Sequence, residues 1–549
     1  MSYIKLLSAL FLGILSSMSC ETRACSNLIV GRGASVDGST IVSYSADDYG
    51  AYGHLFFMPR GKHAKGEMRP IYHYETGNYL GEIPEARETY QVVGLTNEYQ
   101  LTILETTFGG REELWHGRDG IIDYGSLMMI ALQRTKTARE AIRMMADIVE
   151  KHGYESEGET FTVADPREVW LMEMIGKGSE EKGAVWVAVR VPDSCITAHA
   201  NQSRIRKFPL HDEEHCLYSR DVIEFARKKG YYTGKRDEDF SFQEAYAPAD
   251  FSALRFCEAR VWSFFNRWAA DDMTPYLEYV KGEASSKPLP LWVIPRTKLT
   301  CQDVKDMMRD HYEGTPLDIS TGAGSGAYEM PYRPTPLTWE VDSVTYFNER
   351  PLSTQQTACV YTVQMREWMP DYVGCCLWYG NDDANMIPLV PIYPGSMTTV
   401  PDCFHRNAAD AFTFSFRSAY WLQNWVSNMV YYRYCQLFPE LKNRRDALER
   451  DWNSMQEETE ERAMNDEERG RQLLNDYSHR ASGQMMDEWM ELAKMLIVKY
   501  NDMAVKAVDD DGRYRKTAGG QPVPVERPGY PDAMRKRIVK EEGTRYIMP

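Results

Sequence analysis

The sequence predicts a protein of the α+β class, in which strand-rich and helix-rich segments follow one another and a helical extension lies at the C-terminal end. Residues 25–108 and 357–393 contain short β-branched and apolar runs bounded by Gly, Asp and Pro, which is typical of strands. In residues 123–152, apolar residues recur at helical spacing. Residues 438–508 are rich in Glu, Arg, Met and Leu and have few helix breakers, which predicts long solvent-facing helices. This succession suits a layered αββα arrangement, but periodicity does not select it over other α/β arrangements.

Composition excludes two classes of partner. The chain has 549 residues, of which 43% are apolar and 12% aromatic, enough for a sizeable core and unlike a disordered protein. Its formal net charge of -17 argues against nucleic acid or an anionic membrane as the partner. The length fits several domains or one large α/β domain with an extension.

The first 24 residues are expected to be a leader that directs export. Lys5 precedes an apolar run over residues 6–15, which is the pattern of a secretory signal. The run is too short to form a spanning helix, so no stable membrane span is expected. The expected location is therefore periplasmic or extracellular.

Two cleavage points compete in this leader. Cleavage after Ala24, with Thr22 at the minus-three position, would expose Cys25 as the first residue. Cleavage before Cys20 would instead make a lipoprotein, but residues 17–19 lack the leucine that usually marks such a site. In that case a second cut, autocatalytic in our interpretation, would be needed to free Cys25.

The residues that follow Cys25 predict a β-hairpin. An apolar run at 28–30 and a β-branched run at 40–42 flank the Asp37-Gly38 pair, which is a strong turn signal. A mature chain that begins at Cys25 would carry its thiol at the edge of a sheet. Its α-amine, with a pKa of about 8, could take the thiol proton and later return it to a leaving amine. On spacing alone, a buried or disulfide-bonded structural cysteine is the commoner alternative.

The other cysteines and the histidines show no metal or cofactor pattern. Nine cysteines remain besides Cys20 and Cys25, an odd number, and the adjacent pair Cys375-Cys376 lacks zinc-ligand spacing. The spacing of the histidines ties none of them to Cys25, and an amine base makes a histidine unnecessary. The glycine-rich segment 321–326 lacks the lysine of a phosphate loop. We therefore expect neither a metal nor a cofactor.

The remaining segments are predicted from local patterns. Residues 94–108 are expected to form a strand that runs into a Gly109-Gly110 turn, and Thr137 is expected to cap a helix, with Glu140 three residues on. Further expectations are strands over 161–170 and 185–191, a mixed helical region over 217–313, a loop over 314–337, a helix over 419–437 and an irregular tail over the last 40 residues.

A set of motifs carries a resemblance to a known family. The first is Cys25, Val30-Gly31, Ala34-Ser35 and Asp37-Gly38-Ser39-Thr40. Five further blocks follow in order, at 134–140, 164–170, 190–193, 200–202 and 311–315. Together they resemble the dipeptidase A/dipeptidase D family of cysteine N-terminal-nucleophile hydrolases, which are relatives of choloylglycine hydrolases and penicillin V acylases.

The resemblance implies a fold and a domain organisation. The fold is the N-terminal-nucleophile (Ntn) hydrolase sandwich of four αββα layers, with a helical C-terminal extension. The implied organisation is a leader over 1–24, a peptidase domain over 25–437, and a helical extension with an irregular tail over 438–549.

The resemblance also implies roles for four residues. Cys25 is the nucleophile, and Asp47 falls on the family's aspartate, where it would orient the freed α-ammonium group and tune its pKa. The Asn201 amide would donate to the oxyanion, although an Asn after a strand is otherwise most often a turn residue. Thr107 aligns loosely with a second oxyanion position.

The sequence departs from the family at the position of one active-site arginine. Counted without gaps from Cys25, the family's usual arginine falls on Tyr44, which puts in doubt a guanidinium that steadies the thiolate. Arg255 and Arg260 are both candidates for a later active-site arginine, and the sequence does not separate them.

Three functional hypotheses follow. The first is an exported cysteine dipeptidase that acts on short peptides. The second is an acylase of the choloylglycine hydrolase or penicillin V type. The motif blocks over 134–202 favour the dipeptidase hypothesis over this one. The third is a non-catalytic binding protein on the same fold, for which Tyr44 is the only hint. A homo-oligomeric assembly and the side-chain preference are left open.

Overall fold

The computed structural model describes residues 25–549 as a mixed α/β protein built on two large antiparallel sheets. The predicted class is confirmed in this general form. The expected leader over 1–24, Cys20 and the cleavage point after Ala24 lie outside the described residues.

The described strands are numbered in chain order. They are β1 Ser26–Val30, β2 Thr40–Asp47, β3 Phe57–Met58, β4 Gly61–Lys62, β5 Met68–Tyr72, β6 Tyr79–Pro84, β7 Glu88–Thr89, β8 Val92–Val93, β9 Thr96–Asn97, β10 Thr102–Gly109, β11 Gly158–Ala164, β12 Val169–Gly176, β13 Ala184–Arg190, β14 Ile196–His199, β15 Cys216–Tyr218, β16 Trp292–Val293, β17 Thr338–Val341, β18 Val344–Phe347, β19 Thr357–Met365, β20 Cys375–Asn381 and β21 Val390–Ile392.

Two sheets contain most of these strands and lie face to face. The first has seven strands in the order β16-β14-β1-β2-β19-β20-β21, and the second has eight in the order β15-β13-β12-β11-β10-β9-β8-β3. Strands β1 and β2 contact β10, and β2 also contacts β11, so the sheets meet through their central strands. The strand segments are almost completely buried there, which is expected for strands covered on both faces.

The described helices flank this pair of sheets. They are α1 Tyr124–Arg134, α2 Ala138–His152, α3 Val222–Lys228, α4 Phe242–Tyr246, α5 Ala259–Trp268, α6 Leu277–Val280, α7 Cys301–Met307, α8 Asp371–Gly374, α9 Ala419–Tyr431, α10 Tyr434–Met464, α11 Glu467–Tyr500 and α12 Asp532–Glu542. Helices α1 and α2 contact the eight-stranded sheet, whereas α5 and α7 contact the seven-stranded sheet.

The predicted hairpin after Cys25 is confirmed. Strands β1 and β2 pair antiparallel, with Ser26 opposite Ser45 and Val30 opposite Ile41. Gly38 in the turn has a φ of 87°, a conformation that favours glycine. The expected position of this segment at the edge of a sheet is wrong. The hairpin lies inside the seven-stranded sheet, because β14 pairs with the other side of β1 and β19 pairs with the other side of β2.

Three predicted elements differ in their boundaries. The single helix expected over 123–152 is two helices, because Thr135 and Thr137 adopt extended backbone angles; Thr137 does cap the second helix, accepting a hydrogen bond from the Glu140 backbone N–H. The helix expected over 419–437 ends at Tyr431, and α10 begins at Tyr434 after Arg433 leaves helical geometry. The tail expected to be irregular contains α12.

The long hairpin of α10 and α11 is fastened to the sheets by buried ion pairs. The Arg366 guanidinium, directly after β19, donates to both carboxylate oxygens of Glu460 at 2.6 Å. Arg309, two residues after α7, forms an ion pair with Glu449, and all four side chains are almost completely buried. The domain boundary between residues 437 and 438 stays a prediction.

Two further findings concern the thiols and the helices. All ten cysteines in residues 25–549 are free thiols. No helix of this part of the chain is long and apolar enough to cross a membrane.

The Arg366–Glu460 pair generates a stability prediction. Glu460→Gln should lower the free energy of unfolding by about 3–5 kcal/mol, because it leaves the Arg366 charge buried without its counter-charge. Urea denaturation followed by circular dichroism measures the change. Glu458→Gln, on the exposed side of the same helix, is the control and should change stability by less than about 0.5 kcal/mol. A Glu460→Gln protein as stable as the control would refute the assignment.

Candidate active site

Cys25 lies directly before β1, at the middle of the seven-stranded sheet. Its side chain is half-buried, and its Sγ lies 3.6 Å from the Tyr44 hydroxyl. Burial raises the pKa of the Cys25 thiol, and the negative charges of Glu105 and Asp47 raise it further, whereas the Asp47 backbone N–H and the Tyr44 hydroxyl act in the opposite direction. The thiol is therefore protonated at neutral pH and needs a base before it can attack a carbonyl.

Tyr44 connects this thiol to a carboxylate. Its hydroxyl donates a hydrogen bond of 2.6 Å to Glu105 Oε1, so Cys25, Tyr44 and Glu105 form a continuous polar chain. The Tyr44 ring packs against Tyr361, with centroids 5.8 Å apart. At the position of the family's arginine, this chain has a neutral phenol that contacts the thiol.

Two buried glutamates lie beyond Tyr44, and sequence reasoning assigned no role to either. Glu105 belongs to β10 and Glu159 to β11, which pair with each other. Burial raises the pKa of Glu105 to about 7. Burial and the charge of Glu105 raise the pKa of Glu159 well above its usual range. The signal for Glu105 was a charged residue inside the apolar run of a central strand.

Of the two candidate arginines, Arg260 is the one that contacts Cys25. Its guanidinium donates to the Cys25 carbonyl at 2.7 Å, to Ser26 Oγ at 2.7 Å and to the Ala200 carbonyl at 3.0 Å. Arg255, the other candidate, forms an ion pair with Glu349 instead.

The geometry of the helix explains why Arg260, and not Arg255, contacts Cys25. Residues Ala253–Glu258 form a π-helix that continues into α5, and a π-helix contains more residues per turn than an α-helix. The segment therefore changes the face on which the later residues lie, and Arg260 is directed toward β1.

Asn201 is connected to Cys25 by Arg260, which donates hydrogen bonds to both residues. Its Oδ1 accepts a 3.0 Å hydrogen bond from Arg260, and its Nδ2 donates to the Thr107 carbonyl at 2.8 Å. Its φ of 61° is the left-handed conformation that Asn tolerates better than most residues. These bonds fix the carboxamide plane and leave one of its two N–H groups for another acceptor.

Thr107 contributes to the site through its backbone carbonyl. Its hydroxyl donates to Glu159 Oε1 at 2.8 Å, so the side chain supports the carboxyl pair. The donor role suggested for Thr107 in oxyanion binding stays a prediction, and in this structure its hydroxyl hydrogen is directed to Glu159.

Asp47 ends β2 and is completely enclosed. Its carboxylate accepts hydrogen bonds from Arg350 at 2.6 Å, from Thr357 at 2.7 Å and from Ser45 at 3.1 Å. Burial raises the pKa of Asp47, and Arg350 counteracts this shift. The Asp47 backbone N–H lowers the pKa of Cys25, whereas the negative charge of Asp47 raises it, so this residue lies near the thiol. Its role toward a freed α-amine stays a prediction.

The histidines have other partners. Both ring nitrogens of His199 are 2.7 Å from threonine hydroxyls of the facing sheet, Thr106 and Thr162, and burial lowers its pKa to about 3. The ring is therefore a neutral bridge between the sheets. His311 contacts Glu313, and the ring of His405 accepts from the Asn407 backbone N–H.

Aromatic side chains form a rim near the carboxyl pair. Tyr74, in the turn between β5 and β6, lies 5.7 Å from the Tyr124 ring and 5.9 Å from the Phe56 ring. Tyr124 donates to Glu75 at 3.0 Å. Within residues 25–549, no three His, Cys, Asp or Glu side chains are grouped as a metal would require.

The profile of Peptidase family C69 matches residues 24–446 of the chain. The chain belongs to this family. The match confirms the family resemblance and the peptidase class on which the sequence analysis relied.

Named relatives of this C69 family member agree with the assignment. It is 26% identical over 427 residues to a Latilactobacillus sakei protein named "Probable dipeptidase", an alignment that covers 75% of this chain and 81% of that protein. A Salmonella dublin protein with the same name is 27% identical over 393 residues, 68% of this chain and 81% of the relative. A Bifidobacterium longum protein named "Dipeptidase" is 26% identical over 417 residues, with coverages of 68% and 72%.

The contact between Cys25 and Tyr44 generates a prediction for thiol reactivity. Tyr44→Phe removes the hydroxyl that can turn from Glu105 to donate to the thiolate and so lower the pKa of Cys25. The pKa should therefore rise, and alkylation at pH 7 should slow about tenfold. The measurement is the rate of iodoacetamide alkylation of Cys25 as a function of pH, followed by mass spectrometry. Tyr361→Phe, whose hydroxyl lies near Cys359, is the control. An unchanged pH profile in Tyr44→Phe would contradict the prediction.

Proposed function

We propose that this C69 peptidase is an exported cysteine dipeptidase whose nucleophile is Cys25, exposed as the first residue when residues 1–24 are removed. The observation that carries the proposal is the position of the thiol, which lies between the Tyr44 hydroxyl and the Asp47 backbone N–H. Arg260 donates a hydrogen bond to the Cys25 carbonyl and another to the Asn201 side chain, so both residues lie near Cys25. The names of the relatives support dipeptides as the substrate class.

The proposal includes the fold and the location. Two stacked antiparallel sheets with helices on both sides support an Ntn-hydrolase sandwich of four αββα layers. The Lys5 and apolar 6–15 pattern supports export to the periplasm or the extracellular space. Short peptides are the partners in this proposal.

Activation begins at the new N-terminus. While Ala24 is attached, the Cys25 nitrogen is a peptide amide and cannot act as a base. Once freed, the α-amine takes the thiol proton, and Asp47 stabilises the resulting ammonium group because its carboxylate is close and negative. The thiolate then attacks the carbonyl carbon of the first substrate residue, and a bond forms between sulfur and carbon.

The attack places negative charge on the carbonyl oxygen. The second N–H of the Asn201 amide donates to this oxyanion, while Arg260 and the Thr107 carbonyl hold the carboxamide in position. The α-ammonium of Cys25 returns its proton to the departing amine as the carbon–nitrogen bond breaks. Water then attacks the thioester, the carbon–sulfur bond breaks, and the thiol is restored with the carboxylic acid product.

The first prediction here concerns processing and the nucleophile. Active protein should begin at Cys25, as measured by intact mass and N-terminal sequencing. Cys25→Ala should abolish dipeptide hydrolysis, and Cys25→Ser should reduce it heavily with the fold intact, because a hydroxyl is much harder to deprotonate. Cys435→Ala, which removes another half-buried thiol, should keep full activity. A stable, active chain that still carries Arg23-Ala24, or turnover by Cys25→Ala, would refute the mechanism.

The second prediction concerns the oxyanion. Asn201→Ala should lower kcat for a dipeptide roughly 100-fold, with little change in KM, because the lost donor acts mainly in the transition state. Steady-state kinetics measure the change, and a melting curve checks the fold. Asn428→Ala, which changes an exposed amide on α9, is the control. A proportional rise in KM with unchanged kcat would place Asn201 in substrate binding instead.

A further inference from the structure

The carboxyl pair beside the nucleophile is a charge arrangement that the proposed steps do not use. Glu105 is 4% exposed and Glu159 is 1% exposed. The Oε2 atoms of both side chains are buried and accept no hydrogen bond from another residue of the described chain. Among residues 25–549, no lysine, arginine or histidine forms an ion pair with either carboxyl, in contrast to the paired Glu449 and Glu460.

Such a pair needs a positive partner or a proton. Two neighbouring buried carboxylates repel each other and have lost their hydration, so both cannot be charged without compensation. Burial raises the pKa of both glutamates, so a single proton held by the pair leaves it with one negative charge. An ammonium group can take the place of that proton, because it supplies a positive charge and three N–H donors.

The distance from the Glu105 carboxyl to the Cys25 thiol suits a substrate with a free α-ammonium group. Contacts of 3.6 Å and 2.6 Å through Tyr44 place Glu105 Oε1 within about 6 Å of Cys25 Sγ. In an unblocked peptide, the α-nitrogen lies about 2.5 Å from the carbonyl carbon of its own residue. When sulfur attacks that carbon, the ammonium group is therefore within hydrogen-bonding reach of a carboxylate at this distance.

We propose that Glu105, supported by Glu159, binds the free α-ammonium group of the first substrate residue and so selects unblocked peptides for cleavage after that residue. Tyr44 occupies Oε1 and leaves Oε2 without a partner in the described part of the chain. Thr107 orients Glu159 in the same way. The inference rests on the proposed function, since attack on the first carbonyl is what brings the ammonium group to this carboxyl.

The test compares two substrates that differ only at the amine, alanyl-alanine and its N-acetylated form. Glu105→Gln keeps the shape of the side chain and removes its charge. It should lower kcat/KM for alanyl-alanine, mostly through KM, about 100-fold more than the value for the N-acetylated form, because any change in the reactivity of the thiol affects both substrates alike. The preference of the wild-type protein for the unblocked peptide should therefore collapse.

The control is Glu173→Gln, which changes a buried glutamate of the same sheet whose partners are Ser203 and the backbone N–H groups of Arg204 and Ile205. Any loss of activity there should affect both substrates equally. A melting curve checks that Glu105→Gln folds. If it does not, wild-type protein with the desamino analogue of alanyl-alanine, which lacks only the ammonium group, should show the same loss.

Two results would overturn the inference. One is an unchanged preference for the unblocked peptide in Glu105→Gln. The other is an equal loss for both substrates, which would assign Glu105 to the thiol.

Protection of Cys25 from iodoacetamide separates this inference from the proposed function. If the wild-type protein cleaves neither substrate, the dipeptidase proposal fails. The inference still holds if alanyl-alanine protects the thiol, the N-acetylated form does not, and Glu105→Gln loses the protection. It fails if both peptides, or neither, protect the thiol.

Discussion

The buried guanidinium of Arg260 is the interaction on which the arrangement of the site depends. A single side chain from α5 bonds to the carbonyl of Cys25, the Ser26 hydroxyl, the Ala200 carbonyl and the Asn201 amide. These acceptors belong to β1 and to the segment after β14, so the charge joins two neighbouring strands at the end where the nucleophile begins. Burial lowers the pKa of Arg260, and the nearby charge of Arg350 adds to this shift. The site keeps this charge only because polar acceptors replace its lost hydration.

The electrostatics around the thiol favour the protonated form. A family arginine at the position of Tyr44 would stabilise a thiolate, whereas here a phenol and two carboxyls surround the sulfur, and the pKa of Cys25 is raised. A thiol in this environment is a poor nucleophile by itself. In the proposed mechanism, its reactivity depends on the α-amine that is freed when residues 1–24 are removed, and this would couple peptidase activity to the maturation of the chain. The same carboxyls that weaken the thiol provide the negative charge for a cationic ligand.

The parts of the fold that follow from local sequence could be predicted. The β1–β2 hairpin depends on an Asp-Gly turn between apolar runs, and the Thr137 cap depends on one side chain and a nearby backbone N–H. The break between α9 and α10 could not be predicted in the same way, because residues 432–433 have no breaker and tertiary contacts determine their backbone angles.

The candidate site was predicted only in part, for a similar reason. Family motifs suggested Cys25, Asp47 and Asn201, whose catalytic roles stay predictions. In the structure, Arg260 contacts both Cys25 and Asn201, and Asp47 lies near the Cys25 thiol. Glu105 and Glu159 were missed because only the pairing of β10 with β11 brings them together, 54 positions apart in the chain. Arg255 and Arg260 could not be separated, because a π-helical segment precedes Arg260 and α-helical spacing does not anticipate its effect.

The attachment of the helical hairpin has a consequence for how the chain is made. Lys305 lies in α7, the helix that contacts β2 and β19, and Arg309 follows this helix. Both form ion pairs with Glu449, and Arg366 forms one with Glu460. A nascent chain that has emerged from the ribosome only as far as β21 would lack the carboxylates of Glu449 and Glu460, although Arg309 would keep Asp306 as an acidic partner. The sheet that carries the nucleophile therefore reaches its final stability late in synthesis, when four-fifths of the chain has been translated.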